Sequence, residues 1–274
     1  MKFSFRNTGI YYDSIIRSES GTDILFIHGF TGNGTEWEPV ISYFGQGINA
    51  HIIDLPGAGS SDIPDDKSFY NSEGLTELIR KFIGLNFKKR PVLCGYSMGG
   101  RLAFSYAVKY SDTLSGLIIE SSTPGIRNLT DRMMRRDSDA ELIRSIRIDG
   151  VPKFIGKWLR TGIFAGLDGK LGADLFSGLI QKRSANSETG LIRLLEGFGT
   201  GEMKPVWDDL EKIDVPVLLV AGEEDSKYKQ ILSEVNNVIK SSELKIVGDA
   251  GHNVHLEKPS EFSKIINDFI KNIK

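Results

Sequence analysis

Short unbroken apolar runs recur along this chain, at residues 24–27, 52–53, 92–94, 117–119, 217–220 and 244–247. Runs of that length without polar alternation suit parallel strands covered on both faces. Between several of them the apolar spacing changes to the helical period, as in Leu75, Leu78, Ile79 and Phe82, and later in Phe262, Ile265, Ile266, Phe269, Ile270 and Ile273. Strand and helix therefore alternate, which predicts an α/β fold with a mostly parallel central sheet and helices on both faces. The first residues differ. Two alternating stretches, around 3–5 and 10–16, flank Asn7-Thr8-Gly9 and predict an antiparallel hairpin.

The strand rhythm disappears between Ser122 and Pro205, where arginine, glycine and helix-forming residues take over. The expected division is a core formed by 1–122 and 206–274, interrupted by a helical cap over 123–205. The segment from Ser122 to Pro205 carries 14 Lys+Arg against 10 Asp+Glu, which leaves 20 against 26 for the remainder. A basic lid over an acidic body points to an anionic ligand, although a solvated helical face with ordinary ion pairs would give the same count. Over the whole chain 34 basic residues meet 36 acidic ones, a formal net charge of −2. That balance argues against a nucleic-acid or membrane-surface partner. The N-terminal residues lack the apolar core of a secretory leader and no window reaches membrane-spanning length, so a cytoplasmic enzyme is expected. Cys94 is the single cysteine, which excludes an internal disulfide and a multi-cysteine metal cluster.

Chemistry concentrates in Gly95-Tyr96-Ser97-Met98-Gly99, directly after the apolar run at 92–94. This reads as a nucleophile elbow, a sharp strand-to-helix turn that lifts a serine hydroxyl above the sheet. A serine needs a base and the base needs an acid. His252 lies in the loop after the last apolar run, and Asp225 in the corresponding loop after the run before it. The chain order Ser97, Asp225, His252 is that of an α/β-hydrolase triad. Glu224 competes with Asp225 for the acid role on sequence grounds. His28-Gly29-Phe30-Thr31-Gly32 follows the run at 24–27 and offers the backbone N–H of Phe30 opposite that of Met98 as an oxyanion hole. In this scheme His28 braces its loop and His51 is structural. Rival readings fail on residue type. Trp37 stands where a dinucleotide fingerprint needs its third glycine, and His252, His255 and Glu257 match no zinc spacing. No metal or cofactor is expected.

The wider sequence resembles the 2-succinyl-6-hydroxy-2,4-cyclohexadiene-1-carboxylate synthases of menaquinone biosynthesis, α/β-hydrolase-fold enzymes. The resemblance runs through His28-Gly29-Phe30-Thr31-Gly32, Asp54-Leu55-Pro56-Gly57, 95–103 and Gly251-His252-Asn253-Val254-His255-Leu256-Glu257. It implies a lyase that eliminates pyruvate from a substrate carrying three carboxylates, with Ser97, His252 and Asp225 removing a ring proton. It further implies substrate binding by Arg101, Arg135 and Arg183, the residues suited to two-pronged carboxylate contacts, together with Tyr96 and Trp158. Arg101, one helical turn beyond the nucleophile, has no evident purpose in a general esterase. Two other readings compete: a carboxylesterase or carbon-carbon bond hydrolase using the same triad, and a noncatalytic small-ligand-binding protein.

Overall fold

The computed structural model describes residues 1–273. Eight strands form one sheet: β1 (Lys2–Phe5), β2 (Thr8–Ile15), β3 (Thr22–Ile27), β4 (Ile48–Ile53), β5 (Val92–Tyr96), β6 (Gly116–Glu120), β7 (Val217–Gly222) and β8 (Ser242–Val247). Their spatial order is β1-β2-β4-β3-β5-β6-β7-β8. The β1/β2 and β2/β4 pairs are antiparallel and the others parallel. The hairpin is real and tight. Phe5 pairs with Thr8, and Arg6 and Asn7 turn the chain between them at φ 46° and 63°, the left-handed geometry of a two-residue hairpin loop.

The unbroken apolar runs follow from two cores. Leu25, Ile27, Leu93, Leu117 and Leu219 face a layer containing helices Ser72–Asn86 and Met98–Tyr110. Their sequence neighbours Ile24, Phe26, Val92, Cys94, Ile118, Leu218 and Val220 face the opposite layer with Trp37, Phe262, Ile266 and Phe269. Successive strand side chains point to opposite faces, so a strand covered on both sides has no polar register to show. β8 departs from that expectation. Lys245 and Ile246 are exposed because β8 is an edge strand that pairs only with β7.

Four helices intervene between β6 and β7: Leu129–Trp158, Leu167–Leu171, Ala173–Ser184 and Glu188–Phe198. The first is capped by the Asn128 side chain, which accepts from Asp131 N, and it breaks at Gly150 (φ 72°) just before Pro152. Proline excludes the helical conformation from the residue before it, and glycine absorbs the turn two residues earlier. This insertion has an apolar core of its own, including Ile146, Phe154, Ile155 and Leu191, onto which Phe30 and Leu256 of the main body pack. No helix among the described residues is long and apolar enough to cross a membrane.

Candidate active site

β5 ends at Tyr96 and the helix Met98–Tyr110 begins at once, leaving Ser97 as the only hinge between them. Ser97 sits at φ 48°, ψ −107°, a strained conformation of the kind that costs on the order of 1–3 kcal/mol. Close packing holds it there. A Cβ on Gly95 would lie 2.4 Å from Gly99 O, and one on Gly99 would lie 2.3 Å from Ile27 O, so only glycine lets strand and helix pass. Ser97 N donates to Glu120 O at 2.9 Å, and Ser122 Oγ donates to Ser97 O at 2.6 Å. Both sides of the hinge peptide are thus tied to the end of β6.

The hydroxyl meets its base. Ser97 Oγ is 3.1 Å from His252 Nε2, and His252 Nδ1 is 2.7 Å from Asp225 Oδ2. Asp225 also caps the helix Ser226–Val238, its Oδ1 accepting from Tyr228 N, which aims the second oxygen at the imidazole. Glu224, the alternative acid, turns away and pairs with Lys170 of the insertion at 2.6 Å. The loop bearing His252 is braced by Glu257, which accepts from Gly251 N and Asn253 N. Rings of Tyr96, Phe164 and Tyr228 pack on His252 with centroids 5.3, 5.8 and 4.8 Å away and leave it buried.

Neither Phe30 N–H nor Met98 N–H donates to an acceptor among the described residues. The Phe30 loop is held by His28, whose Nε2 accepts from Leu55 N at 3.1 Å; that fixes the proton on Nδ1, which donates to Gly29 O at 2.8 Å. His51 lies outside the site, between Ser14 and Asp23. The Phe30 ring meets Trp158 of the insertion edge to face at 5.9 Å. Trp158 Nε1 is buried without a partner, and the Tyr96 hydroxyl makes no hydrogen bond; burial raises the Tyr96 pKa well above its ordinary range. Two donors are therefore unspent near the nucleophile.

The three arginines differ. Arg101 is buried, donates Nη2 to Phe198 O at 3.0 Å, leaves Nε unpartnered and has no carboxylate in salt-bridge range among the described residues. Burial drives its pKa down to about 10. Arg135 spends Nε on Asp139 at 2.8 Å and is half-buried. Arg183 is almost wholly buried, and Glu36 holds it with two prongs at 2.7 and 3.0 Å. Burial works against its charge, yet Glu36 more than compensates, and the Arg183 pKa is raised. Sequence spacing gives no hint of this pair, whose members are 147 positions apart.

Sequence reasoning weighs His255 only as a metal ligand and does not pair it with Glu120. Glu120 ends β6 fully buried, and its Oε1 accepts from both the backbone N and the Nδ1 of His255 at 3.0 and 2.9 Å. The His255 ring lies against Tyr96 at 4.6 Å, so this buried pair underlies the tyrosine beside the nucleophile. A carboxylate closing an otherwise apolar strand was the available signal. Among the described residues no group of three or more His, Cys, Asp or Glu side chains is arranged to hold a metal ion.

Residues 23–259 match a family model described as alpha/beta hydrolase fold. A Bacillus subtilis protein provisionally named 2-succinyl-6-hydroxy-2,4-cyclohexadiene-1-carboxylate synthase is 36% identical over 251 residues, 91% of this chain and 90% of that protein. The synthase of that name from Salmonella typhimurium is 32% identical, covering 86% of this chain and 89% of the relative. Among solved structures, MenH from S. aureus superposes with a TM-score of 0.91 at 31% identity, covering 96% of this chain and 98% of the other.

Proposed function

The chain belongs to the alpha/beta hydrolase family, and within it to the 2-succinyl-6-hydroxy-2,4-cyclohexadiene-1-carboxylate synthases; from that premise we propose that it eliminates pyruvate from 2-succinyl-5-enolpyruvyl-6-hydroxy-3-cyclohexene-1-carboxylate. The observation that carries this reading is Arg101, a guanidinium buried near the triad with no carboxylate of its own. A buried unpaired charge is costly unless a ligand completes it. A neutral ester would leave it bare, whereas a polyacid would not.

The proposed chemistry is a proton transfer coupled to a vinylogous elimination. His252 takes the Ser97 proton as the serine oxygen withdraws the ring hydrogen beside the succinyl ketone, and Asp225 stabilises the imidazolium. The electron pair runs into the ketone and the enolate oxygen accepts from the Phe30 and Met98 N–H groups, which require no reorganisation because nothing else occupies them. Collapse of the enolate forms the C2=C3 bond, shifts the ring double bond to C4=C5 and breaks the C5–O bond. The enol of pyruvate departs, protonated by His252, and the 3-ene has become the 2,4-diene. Arg101 and Arg135 neutralise carboxylates, with Tyr96 and Trp158 donating the hydrogen bonds that the fold leaves unspent. Arg183 contributes through Nη1, which reaches Thr31 Oγ1 at 3.2 Å in the oxyanion loop, while Glu36 fixes its plane.

The insertion acts as a cap over this site, excluding water from the enolate. A triply charged small acid does not cross a membrane unaided, which supports a reaction in the compartment where the substrate is made, the cytoplasm expected from the sequence. The test is to incubate the pure protein with the enolpyruvyl substrate and follow pyruvate. Release at catalytic rates is expected, and its absence alongside brisk turnover of simple esters would replace this reading with a serine hydrolase.

A further inference from the structure

A cavity of about 430 Å³ has in its wall Tyr228, the ring that also packs on His252. Its walls bring together Arg127, Arg135, Lys227 and Thr200 with one carboxylate, Asp131. We infer that this cavity binds one carboxylate arm of the substrate and that Thr200 and Lys227 are its specificity-determining donors, an inference that rests on the elimination proposed above.

Four observations carry it. Thr200 is only 3% exposed, and its Oγ1 has no hydrogen-bond partner. Buried hydroxyls are almost always satisfied, so an orphan lining a cavity calls for an acceptor inside it. Lys227 makes no ion pair among the described residues, and its Nζ lies over the Tyr228 ring at 5.4 Å. Arg135 is held by Asp139 through Nε alone, and its two terminal nitrogens donate to no protein acceptor among the described residues. Arg127 lies over the Trp207 ring at 3.6 Å and its Nη1 pairs with Glu234 at 3.3 Å, contacts that hold its guanidinium at the cavity wall.

Three cations and one carboxylate line this cavity; Glu234 answers Arg127 and Asp139 takes Nε of Arg135, which leaves Lys227 and the terminal nitrogens of Arg135 without a partner beside the Thr200 hydroxyl. A carboxylate has two oxygens and no donor, so it takes a hydroxyl hydrogen bond on one and a charge-assisted bond on the other. An apolar or cationic group would leave the hydroxyl or the charge unanswered. Position fits as well. Tyr228 packs on His252 with ring centroids 4.8 Å apart and also lines this cavity, so one side chain links the cavity to the residue beside Ser97. The anionic preference of the cap, diffuse in the sequence, thus has a definite seat.

The test compares wild type with Thr200→Val and Lys227→Met on the full substrate and on an analogue whose succinyl carboxylate is a primary amide. In each variant the KM for the full substrate should rise about tenfold or more, the scale of one hydrogen bond to a charged group, with kcat changed less than twofold. If the variants no longer distinguish substrate from amide, the occupant is the succinyl arm. An equal rise for both compounds assigns the cavity to one of the other two carboxylates. Unchanged KM in both variants overturns the inference. Should wild type release no pyruvate, the elimination itself fails, and the cavity is then judged by titrating succinate against intrinsic fluorescence. Quenching lost in Lys227→Met supports the site, and no response in wild type ends it.

Discussion

Lys170, on the insertion, lies 2.6 Å from Glu224, the residue immediately before the triad acid. The same ammonium is 3.4 Å from Glu257, at the end of the short helix that follows His252, and 3.8 Å from Asp249, on the loop that carries it. One cap residue therefore ties together the two loops that position the acid and the base. Burial lowers the Lys170 pKa, but Glu224 and Glu257 outweigh it and the net shift is upward. A raised pKa on a cation means that the contribution is complete below the ordinary lysine range and is lost as pH climbs through the folded-state value. On the acid side, Asp249 is depressed by Lys258 first and Lys170 second, so its share is present above the ordinary aspartate range and disappears as pH falls through the lowered value.

From this follows a prediction for Lys170→Met. Partly exposed pairs of this kind contribute on the order of 1 kcal/mol together, about a fivefold factor in local opening. Amide exchange in Leu167–Leu171 should accelerate by that factor at pH 7, and high salt should narrow the gap between variant and wild type. Equal exchange at low salt would show that apolar packing alone holds the cap.

Asp225→Asn should preserve the fold and lower pyruvate release by roughly 10³–10⁴-fold, the scale seen when a triad imidazole loses its orienting carboxylate. The amide cannot stabilise an imidazolium, although it fills the same space. Retention of more than a tenth of wild-type turnover would remove Asp225 from the chemistry.

Glu120 and His255 allow a cleaner separation of charge from hydrogen bonding. Oε1 accepts both bonds from His255, while Oε2 has no partner. Glu120→Gln keeps the accepting oxygen in place and should leave thermal stability within a few degrees of wild type. Glu120→Ala strands two donors in a fully buried site and should cost about 2–4 kcal/mol, lowering Tm by roughly 5–15 °C in a chain of this size. A glutamine variant as damaged as the alanine one would mean that the charge, not the acceptor, is what His255 needs.

These sites also mark what a sequence can and cannot disclose. The hydrogen-bonded set Ser97, His252 and Asp225 was legible because each member follows an apolar run and the three occur in the chain order of an α/β-hydrolase triad. Asp225 over Glu224 was not legible, since neighbours in a loop differ only in direction, and the helix cap made by Asp225 decides it. The hairpin and the alternating sheet came from periodicity, yet the exposure of β8 did not, because an edge is a property of the whole sheet. Pairings such as Arg183 with Glu36 arise when the insertion folds back across the body, and no local pattern encodes that.

Arg101 offers the sharpest test of the proposed substrate class, because stability and binding should move in opposite directions. Its folded-state pKa, about 10, is below the ordinary arginine value. The charged form is thus disfavoured by folding throughout the neutral range, and the penalty is relieved only as pH rises above about 10. Arg101→Met keeps the aliphatic stem, which the buried side chain needs for packing, and removes the charge. Replacing a buried ionic group with an apolar one of similar length is often neutral or stabilising by about 1–4 kcal/mol, and the lost bond to Phe198 O gives back roughly 1 kcal/mol. Tm should therefore hold or rise by several degrees. Substrate binding should weaken by at least tenfold in KM, since a carboxylate would enter the same pocket with no guanidinium to meet it. Lysine at this position should restore part of the binding and give up any gain in stability, because the buried charge returns without the planar fork. Thermal melts and steady-state pyruvate release on the three proteins give both readouts. If Arg101→Met melts lower than wild type and binds substrate as well, the guanidinium is a structural element and the case for a polyanionic substrate loses its main support.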